Sequence, residues 1–83
     1  MELLPLGKTS KEKIARYNLS KKFDKQISLL LTNQKYPSLN VELLEPKKLG
    51  FYSFRIDRKF RAVFVFHKDL NAIEVITITN HYK

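Results

Sequence analysis

The sequence contains no cysteine and only two glycines among its 83 residues. Without cysteine the chain has no disulfide and no thiolate-bound metal, and a cytoplasmic location is the simpler expectation. Two glycines are too few for a phosphate-cradling glycine loop. His67 and His81 are the only histidines, and they are too isolated for a metal site. We therefore expect no cofactor and no metal.

Long hydrophobic runs are also missing. No apolar stretch approaches the roughly 20 residues that a bilayer-spanning helix needs. The opening segment MELLPLGKTS lacks the basic start and apolar middle of a signal peptide. We expect no membrane contact. A length of 83 residues with 43% hydrophobic content indicates one domain, 1–83, with one small core.

Acidic residues are scarce relative to basic ones. Sixteen Lys and Arg against eight Asp and Glu give a formal net charge of +8. The positive electrostatic potential of so small a protein favours a polyanion or an acidic protein as its partner. The alternative is a solvated, lysine-rich surface without a partner.

Two helices are expected in the first half of the chain. The stretch TSKE, residues 9–12, is typical of a capping box that opens a short basic helix ending near Tyr17. A second helix is predicted from about Leu19 to Thr32, because apolar residues recur there at helical spacing. These residues are Leu19, Phe23, Ile27, Leu30 and Leu31. Asn33 is expected to cap this helix in the left-handed conformation.

From residue 41 onward the pattern favours strands. The segments VELL, FYSFRI, RAVFVF and AIEVITIT are rich in β-branched and aromatic residues. The opening MELLPL is a candidate edge strand, since Pro5 is tolerated in a sheet only at an edge. The predicted fold class is α+β, with a small antiparallel, partly mixed sheet of about four strands and two N-terminal helices packed on one face.

The hairpin FYSFRIDRKFRAVFVF has one favoured register. Each strand has a wholly apolar side, formed by Tyr52, Phe54 and Ile56 in the first and by Phe60, Ala62, Phe64 and Phe66 in the second. A three-residue turn through 57–59, with Ile56 opposite Phe60, brings both sides to the helices, whereas a slip of one residue exposes one of them. This register places Arg55 opposite Arg61 on the other face, with Cβ atoms about 5 Å apart.

Opposed arginines repel each other, and three arrangements relieve the repulsion. The side chains splay into solvent, a carboxylate bridges them, or a phosphate rests between their guanidinium groups. Arginine suits the last arrangement because its planar donors meet phosphate oxygens bidentately. Since exposed like-charge pairs cost only about tenths of a kcal/mol, the sequence does not decide between a phosphate site and the two other arrangements.

Further candidate side chains lie near this end of the sheet. If the last strand pairs with RAVFVF, its C-terminal end lies beside Arg61 and brings His81 and Tyr82 close. A histidine exchanges protons near neutral pH, and a tyrosine stacks on a base or hydrogen-bonds a phosphate. The alternative is that both are incidental residues at a frayed terminus.

Glu45 ends the strand that precedes the hairpin. A carboxylate, a histidine and two arginines on one open face are the groups that cleave RNA without a metal, because they supply a base, an acid and cations for the phosphorane charge. By spacing alone, the simpler alternative is favoured for Glu45, an exposed turn residue paired with Lys47 or Lys48.

The stretch YPSLNVELLEPKKLGFYSFRIDRKFRAVFVF followed by IEVITITNHYK resembles the RelE/ParE superfamily of toxin–antitoxin toxins, and within it the RelE/YoeB-like messenger-RNA interferases. The matching features are YPSL after the long helix, the strands YSFRI and RAVF, and the terminal HY. They cover about the last fifty residues. The resemblance implies a RelE-like fold, which agrees with the α+β plan above.

The resemblance also implies an endoribonuclease that cuts messenger RNA in the ribosomal decoding site through attack of the 2′-hydroxyl on the adjacent phosphate. Carried over to matching positions, Glu45 is the general base and His81 the general acid. Arg61 stabilises the transition state and Tyr82 orients the substrate. The side chains expected to bind RNA are Lys47, Lys48, Arg55, Arg58 and Lys59.

The implied partners are a cognate antitoxin, expected to be acidic, and the ribosome with its messenger RNA. Two other hypotheses remain open. One is a toxin of the same fold without nuclease activity, such as a ParE-like inhibitor of DNA gyrase, or an inactive relative. The other is a basic RNA-binding domain whose affinity falls steeply with salt.

Overall fold

Two helices lie on one face of a five-stranded sheet in the structure, a computed structural model that describes residues 1–80. The helices are α1 (Lys8–Arg16) and α2 (Ser20–Thr32). The strands are β1 (Glu2–Leu3), β2 (Glu42–Leu43), β3 (Tyr52–Arg55), β4 (Arg61–His67) and β5 (Ala72–Thr79). Within these described residues, neither helix combines the length and the apolar character that crossing a membrane requires.

The sheet has the order β1-β5-β4-β3-β2. β1 runs parallel to β5, with Glu2 opposite Ala72, and the other neighbours are antiparallel. The predicted α+β class and partly mixed sheet are therefore confirmed, with five strands where about four were expected. The opening segment is the edge strand that Pro5 indicated.

The predicted extent of the long helix is confirmed, and Asn33 lies at its C-cap, but the capping box at Thr9 and the left-handed conformation of Asn33 are wrong. Helix α1 begins at Lys8 with Gly7 at its N-cap, so Thr9 already lies inside the first turn and makes no capping bond. Asn33 is extended, with φ −159°, and its side-chain oxygen accepts a hydrogen bond from Lys35 N (3.0 Å). This local turn ends α2 without a left-handed residue.

The core lies between the helices and the sheet face that carries Phe54 and Phe64, both fully buried. Phe54 also packs against Phe23 of α2, with ring centroids 6.1 Å apart. Buried aromatic pairs contribute about 0.5–1.5 kcal/mol beyond the area they remove from water. The aromatic sides of β3 and β4 therefore face the helices.

The predicted hairpin register is confirmed. Ile56 N donates to Phe60 O (2.9 Å), and Arg55 lies opposite Arg61. The turn between them is ordered by Asp57, whose Oδ1 accepts hydrogen bonds from the backbone N–H groups of Lys59 and Phe60, each at 2.8 Å. Its Oδ2 accepts a hydrogen bond from Lys22 Nζ (3.1 Å). Burial raises the pKa of Asp57, but these hydrogen bonds outweigh it and the net pKa is lowered.

Replacing Asp57 by Asn removes the charge of the turn and keeps an oxygen acceptor. Because the pKa of Asp57 is depressed in the folded chain, its charge stabilises the fold above the usual value of 3.8, and this contribution is lost as pH falls below that value. We expect the wild type to exceed Asp57→Asn by about 1 kcal/mol in free energy of unfolding at neutral pH. Urea denaturation at several pH values measures the difference. A gap that persists in strong acid would contradict this role.

One buried amide ties α2 to the end of β3. Gln26 Nε2 donates to Arg55 O (2.8 Å) and to Ser38 O (3.1 Å), and the residue is 6% exposed. Removing a buried donor leaves its acceptors unpaired, which costs more than the net gain from a hydrogen bond. The amide therefore fixes the backbone that presents Arg55.

We expect Gln26→Ala to lower the free energy of unfolding by about 1–3 kcal/mol, because two carbonyl oxygens lose their partner. Chemical denaturation measures this loss. The matched control is Gln34→Ala at an exposed position, which should change stability by less than about 0.5 kcal/mol. Equal effects of the two substitutions would show that the Gln26 bonds contribute nothing specific.

Candidate functional site

The sheet face turned away from the helices, called the open face here, carries the polar side chains of β2, β3 and the start of β4. On β3, Ser53 and Arg55 alternate with Phe54, which points into the core. Glu42 lies opposite Ser53 on one side, and Arg61 lies opposite Arg55 on the other. The paired strands therefore bring a carboxylate, a hydroxyl and two guanidinium groups together.

Arg61 is held by three hydrogen bonds on the open face. Its Nε donates to Ser53 Oγ (2.9 Å), and its Nη2 donates to the carbonyl oxygens of Ser53 (3.3 Å) and Asn40. These partners lie on β3 and just before β2, so the side chain crosses β3 and its exposed fraction is only 16%. A long, flexible side chain is thus fixed in one orientation.

The charge of Arg61 is only partly compensated. Its Nη2 lies 3.9 Å from Glu42 Oε1, a loose ion pair with a carboxylate that is 55% exposed. Burial lowers the pKa of Arg61, Glu42 raises it in part, and the neighbouring charge of Arg55 lowers it. The pKa of a guanidinium lies so high that it stays charged despite such shifts. The environment therefore favours an additional anion at Arg61.

Arg55 differs from its partner, because it is exposed and because no carboxylate within residues 1–80 lies within ion-pair distance of it. Of the three arrangements considered for opposed arginines, the structure shows a carboxylate beside Arg61 alone. The space next to Arg55 and Arg61 therefore combines one cation held by hydrogen bonds with one exposed cation. Such a pair suits an anion with several oxygens, such as a phosphate.

The predicted general base lies farther along the sheet than the arginine pair. Glu45 is exposed and follows Leu44, whose N–H donates to Phe51 O (2.8 Å). Phe51 precedes Arg55 by four residues, or about 13 Å along a strand. Glu42, and not Glu45, is the carboxylate in contact with Arg61. The role of Glu45 as general base stays a prediction.

The other predicted residues fall into two groups. Lys47 and Lys48 are exposed in the turn after Glu45, and Arg58 and Lys59 are exposed in the β3–β4 turn. His81 and Tyr82 lie outside the described residues. Thr79 lies opposite Arg61 at the end of β5, which confirms that this strand end lies beside Arg61.

Two remaining features concern metal chemistry and the second histidine. His67 lies at the far end of β4 and is hydrogen-bonded to Glu74, with Nε2 and Oε1 2.8 Å apart. In the part of the chain that the structure describes, no group of three or more His, Asp or Glu residues is placed to hold a metal ion. Because Arg61 begins β4 and His67 ends it, His67 also lies away from the arginine pair.

Sequence reasoning missed the residues that hold Arg61. Ser53 shares the face of Arg55 and precedes it by two positions, so the strand alternation could have identified it. Glu42 required the register between β2 and β3, which such short strands do not specify. Asn40 contributes a backbone oxygen, for which the side-chain sequence carries no signal.

We expect Ser53→Ala to release Arg61, because Nε loses its side-chain acceptor, whereas Ser53→Thr keeps the hydroxyl. The measurement is the Arg61 Nε–H signal in heteronuclear NMR, which should exchange slowly with solvent in the wild type and fast in the alanine variant. The free energy of unfolding should fall by about 1–2 kcal/mol in Ser53→Ala. Slow exchange in all three proteins would contradict a role for Ser53 in fixing the guanidinium.

Solved toxin structures share this fold. A YoeB/ParE toxin from Agrobacterium tumefaciens has a TM-score of 0.78 at 21% identity, over 99% of this chain and 100% of that one. YoeB from Staphylococcus aureus, solved in a heterotetrameric complex with YefM antitoxin, has a TM-score of 0.73 at 19% identity, over 99% and 98%. A copper-bound mutant toxin from Helicobacter pylori has a TM-score of 0.76 at 15% identity, over 98% and 94%.

At the level of sequence, no family model matches the chain and a search of curated proteins finds no significant match. At these identities the likeness is one of fold. The chain has the YoeB/ParE toxin fold over almost its whole length. The fold implied by the sequence resemblance is therefore confirmed.

Proposed function

We propose that this chain with the YoeB/ParE toxin fold is the toxin of a toxin–antitoxin pair and a metal-independent endoribonuclease acting on ribosome-bound messenger RNA. The observation that carries the proposal is the arginine pair on the open face. Arg61 is fixed by Ser53 and Asn40, and Arg55 lies opposite it without a carboxylate partner in residues 1–80. Two guanidinium groups so placed suit a phosphodiester.

In the proposed reaction the ribose 2′-oxygen attacks the adjacent phosphorus and gives its proton to a carboxylate. Glu45 is the base that the resemblance assigns, and Glu42 is the carboxylate that lies at Arg61 in the structure. The bond from phosphorus to the 5′-oxygen breaks, and that oxygen takes a proton from His81. The products are a 2′,3′-cyclic phosphate and a free 5′-hydroxyl, so atoms and charge balance without a metal. Tyr82 orients the substrate.

Arg61 acts on the charge that develops on the phosphorane oxygens. Its Nε and Nη2 are engaged by the protein, and its Nη1 has no partner among residues 1–80. Two N–H groups therefore remain for phosphate oxygens. Because the guanidinium is already fixed, it needs little reorganisation during the reaction, which is the condition for strong electrostatic stabilisation.

The partners follow from the charge distribution. A chain of net charge +8 with an under-compensated arginine pair favours an acidic antitoxin that covers the open face. It also favours docking of the exposed basic turns onto ribosomal RNA without sequence choice. Lys47, Lys48, Arg58 and Lys59 are the exposed turn residues for that contact. The site of action is the cytoplasm, where ribosomes and messenger RNA meet.

We expect Arg61→Ala to abolish growth arrest on induction and to lower RNA cleavage by about 10²–10³-fold, as loss of an oxyanion donor does elsewhere. The matched control is Arg16→Ala, which removes the same charge from the exposed end of α1 and should leave the activity unchanged. Primer extension on a reporter transcript after brief induction measures the cuts.

The two proposed proton-transfer residues are tested in the same assay with Glu45→Gln and His81→Ala. Equal cleavage by wild type and Arg61→Ala would contradict the assigned site. Growth arrest with intact transcripts would instead indicate another target, such as gyrase. Binding of RNA without arrest or cleavage would indicate a non-catalytic RNA-binding protein.

A further inference from the structure

A second basic surface lies beside the open face, in the groove between α2 and the β3–β4 turn. This groove has a volume of about 340 Å³ and includes Lys22, Lys25, Arg55 and Arg58 in its lining. We infer that it binds the phosphate backbone of the RNA strand that passes the arginine pair. The inference adds the two α2 lysines to the RNA-binding residues and rests on the proposed function for the identity of the nucleic acid.

The groove and the arginine pair are continuous through Arg55. Arg55 lies opposite Arg61 on the open face, and it also lines the groove. Gln26 fixes this junction, because it donates to Arg55 O and to Ser38 O beneath the groove. An extended polyanion that contacts the arginine pair can therefore continue past the end of β3 onto α2.

The groove contains more positive charge than its own carboxylate can compensate. Asp57 is the acidic residue in its lining, and its oxygens already bind two backbone N–H groups and Lys22. Three cations remain without a carboxylate at ion-pair distance among residues 1–80: Lys25, Arg55 and Arg58. A phosphodiester strand supplies regularly spaced charges to match them.

The residue types favour nucleic acid over an acidic protein. Interfaces between proteins are enriched in aromatic residues and depleted of lysine at their cores, whereas interfaces with nucleic acid are more polar and much more positive. The side chains that line this groove are charged, amide or hydroxyl, and its one apolar member, Ile56, is buried. None of its exposed lining residues is aromatic or aliphatic, the residue types that anchor a protein segment, although much of the surface that they expose is apolar.

The test uses the full chain and a fluorescent single-stranded RNA of about 12 nucleotides, within the range of common single-strand sites. Its riboses are 2′-O-methylated, so it cannot be cleaved through the 2′-hydroxyl. Anisotropy titrations between about 50 and 200 mM KCl give the affinity and its salt slope. The double variant Lys25→Gln with Arg58→Gln is compared with Lys8→Gln with Lys11→Gln, which removes the same charge from the exposed surface of α1.

We expect the groove variant to bind RNA about tenfold more weakly than the wild type at low salt. The slope of log K against log salt should become shallower by about 1.4, because each of the two lost phosphate contacts contributes about 0.7. The α1 variant should lose less than about threefold, with little change in slope. All four side chains are exposed, and thermal melting checks that both variants fold. The single variants replace the double variant if it melts early.

Equal losses of RNA affinity in the two double variants would overturn the inference, because they would show that RNA responds to the net positive charge of the protein and does not bind in the groove. So would a groove variant that still binds RNA but no longer binds a polyglutamate peptide of matched charge, which would assign the surface to an acidic protein. A wild type that binds RNA through the groove and cuts no transcript would contradict the proposed function and support this inference.

Discussion

The opposition of Arg55 and Arg61 is the constraint on which the site depends, and it follows from packing. Phe54 and Phe64 are fully buried because the aromatic sides of β3 and β4 both face the helices. A slip by one residue would move one of those sides to solvent, at a cost of about 3–5 kcal/mol for each large aromatic group lost from the core. Repulsion between the two arginines costs less than this, because Arg55 is exposed and solvent screens its charge. Burial therefore determines the register, and the arginines must face each other.

The protein stabilises the two cations unequally. Arg61 is engaged by Ser53 and Asn40 and lies near Glu42, whereas Arg55 has no carboxylate at ion-pair distance in residues 1–80. A fixed donor next to an exposed one is an arrangement that receives an anion without a change in the sheet. The α2 groove continues the same positive surface. A single feature of the hairpin thus underlies the proposed chemistry, the proposed acidic antitoxin and the proposed path of the RNA.

Periodic patterns made the helices, the strands and the arginine register predictable from the sequence, because each depends on which side chains must be buried. The cap at Thr9 was predicted wrongly, because the helix begins two residues earlier and Gly7 lies at its N-cap. Asn33 does lie at the C-cap of α2, but its backbone is extended instead of left-handed. The contacts around Arg61 were not predicted, because Asn40 acts through its backbone and Glu42 belongs to a strand of two residues. The resemblance implied the fold, which the solved toxins confirm, and the catalytic roles, which remain proposals.

The role of Arg61 in RNA cleavage is tested by identifying the 3′ end that the purified protein leaves on a messenger RNA in a reconstituted translating system. Mass spectrometry of the 5′ fragment identifies that end. We expect a 2′,3′-cyclic phosphate with the wild type and no comparable product with Arg61→Lys, because lysine keeps the charge but not the planar fork of donors. Intact messenger RNA with the wild type, or equal cleavage by the lysine variant, would contradict the claim that the fixed guanidinium of Arg61 stabilises a phosphorane.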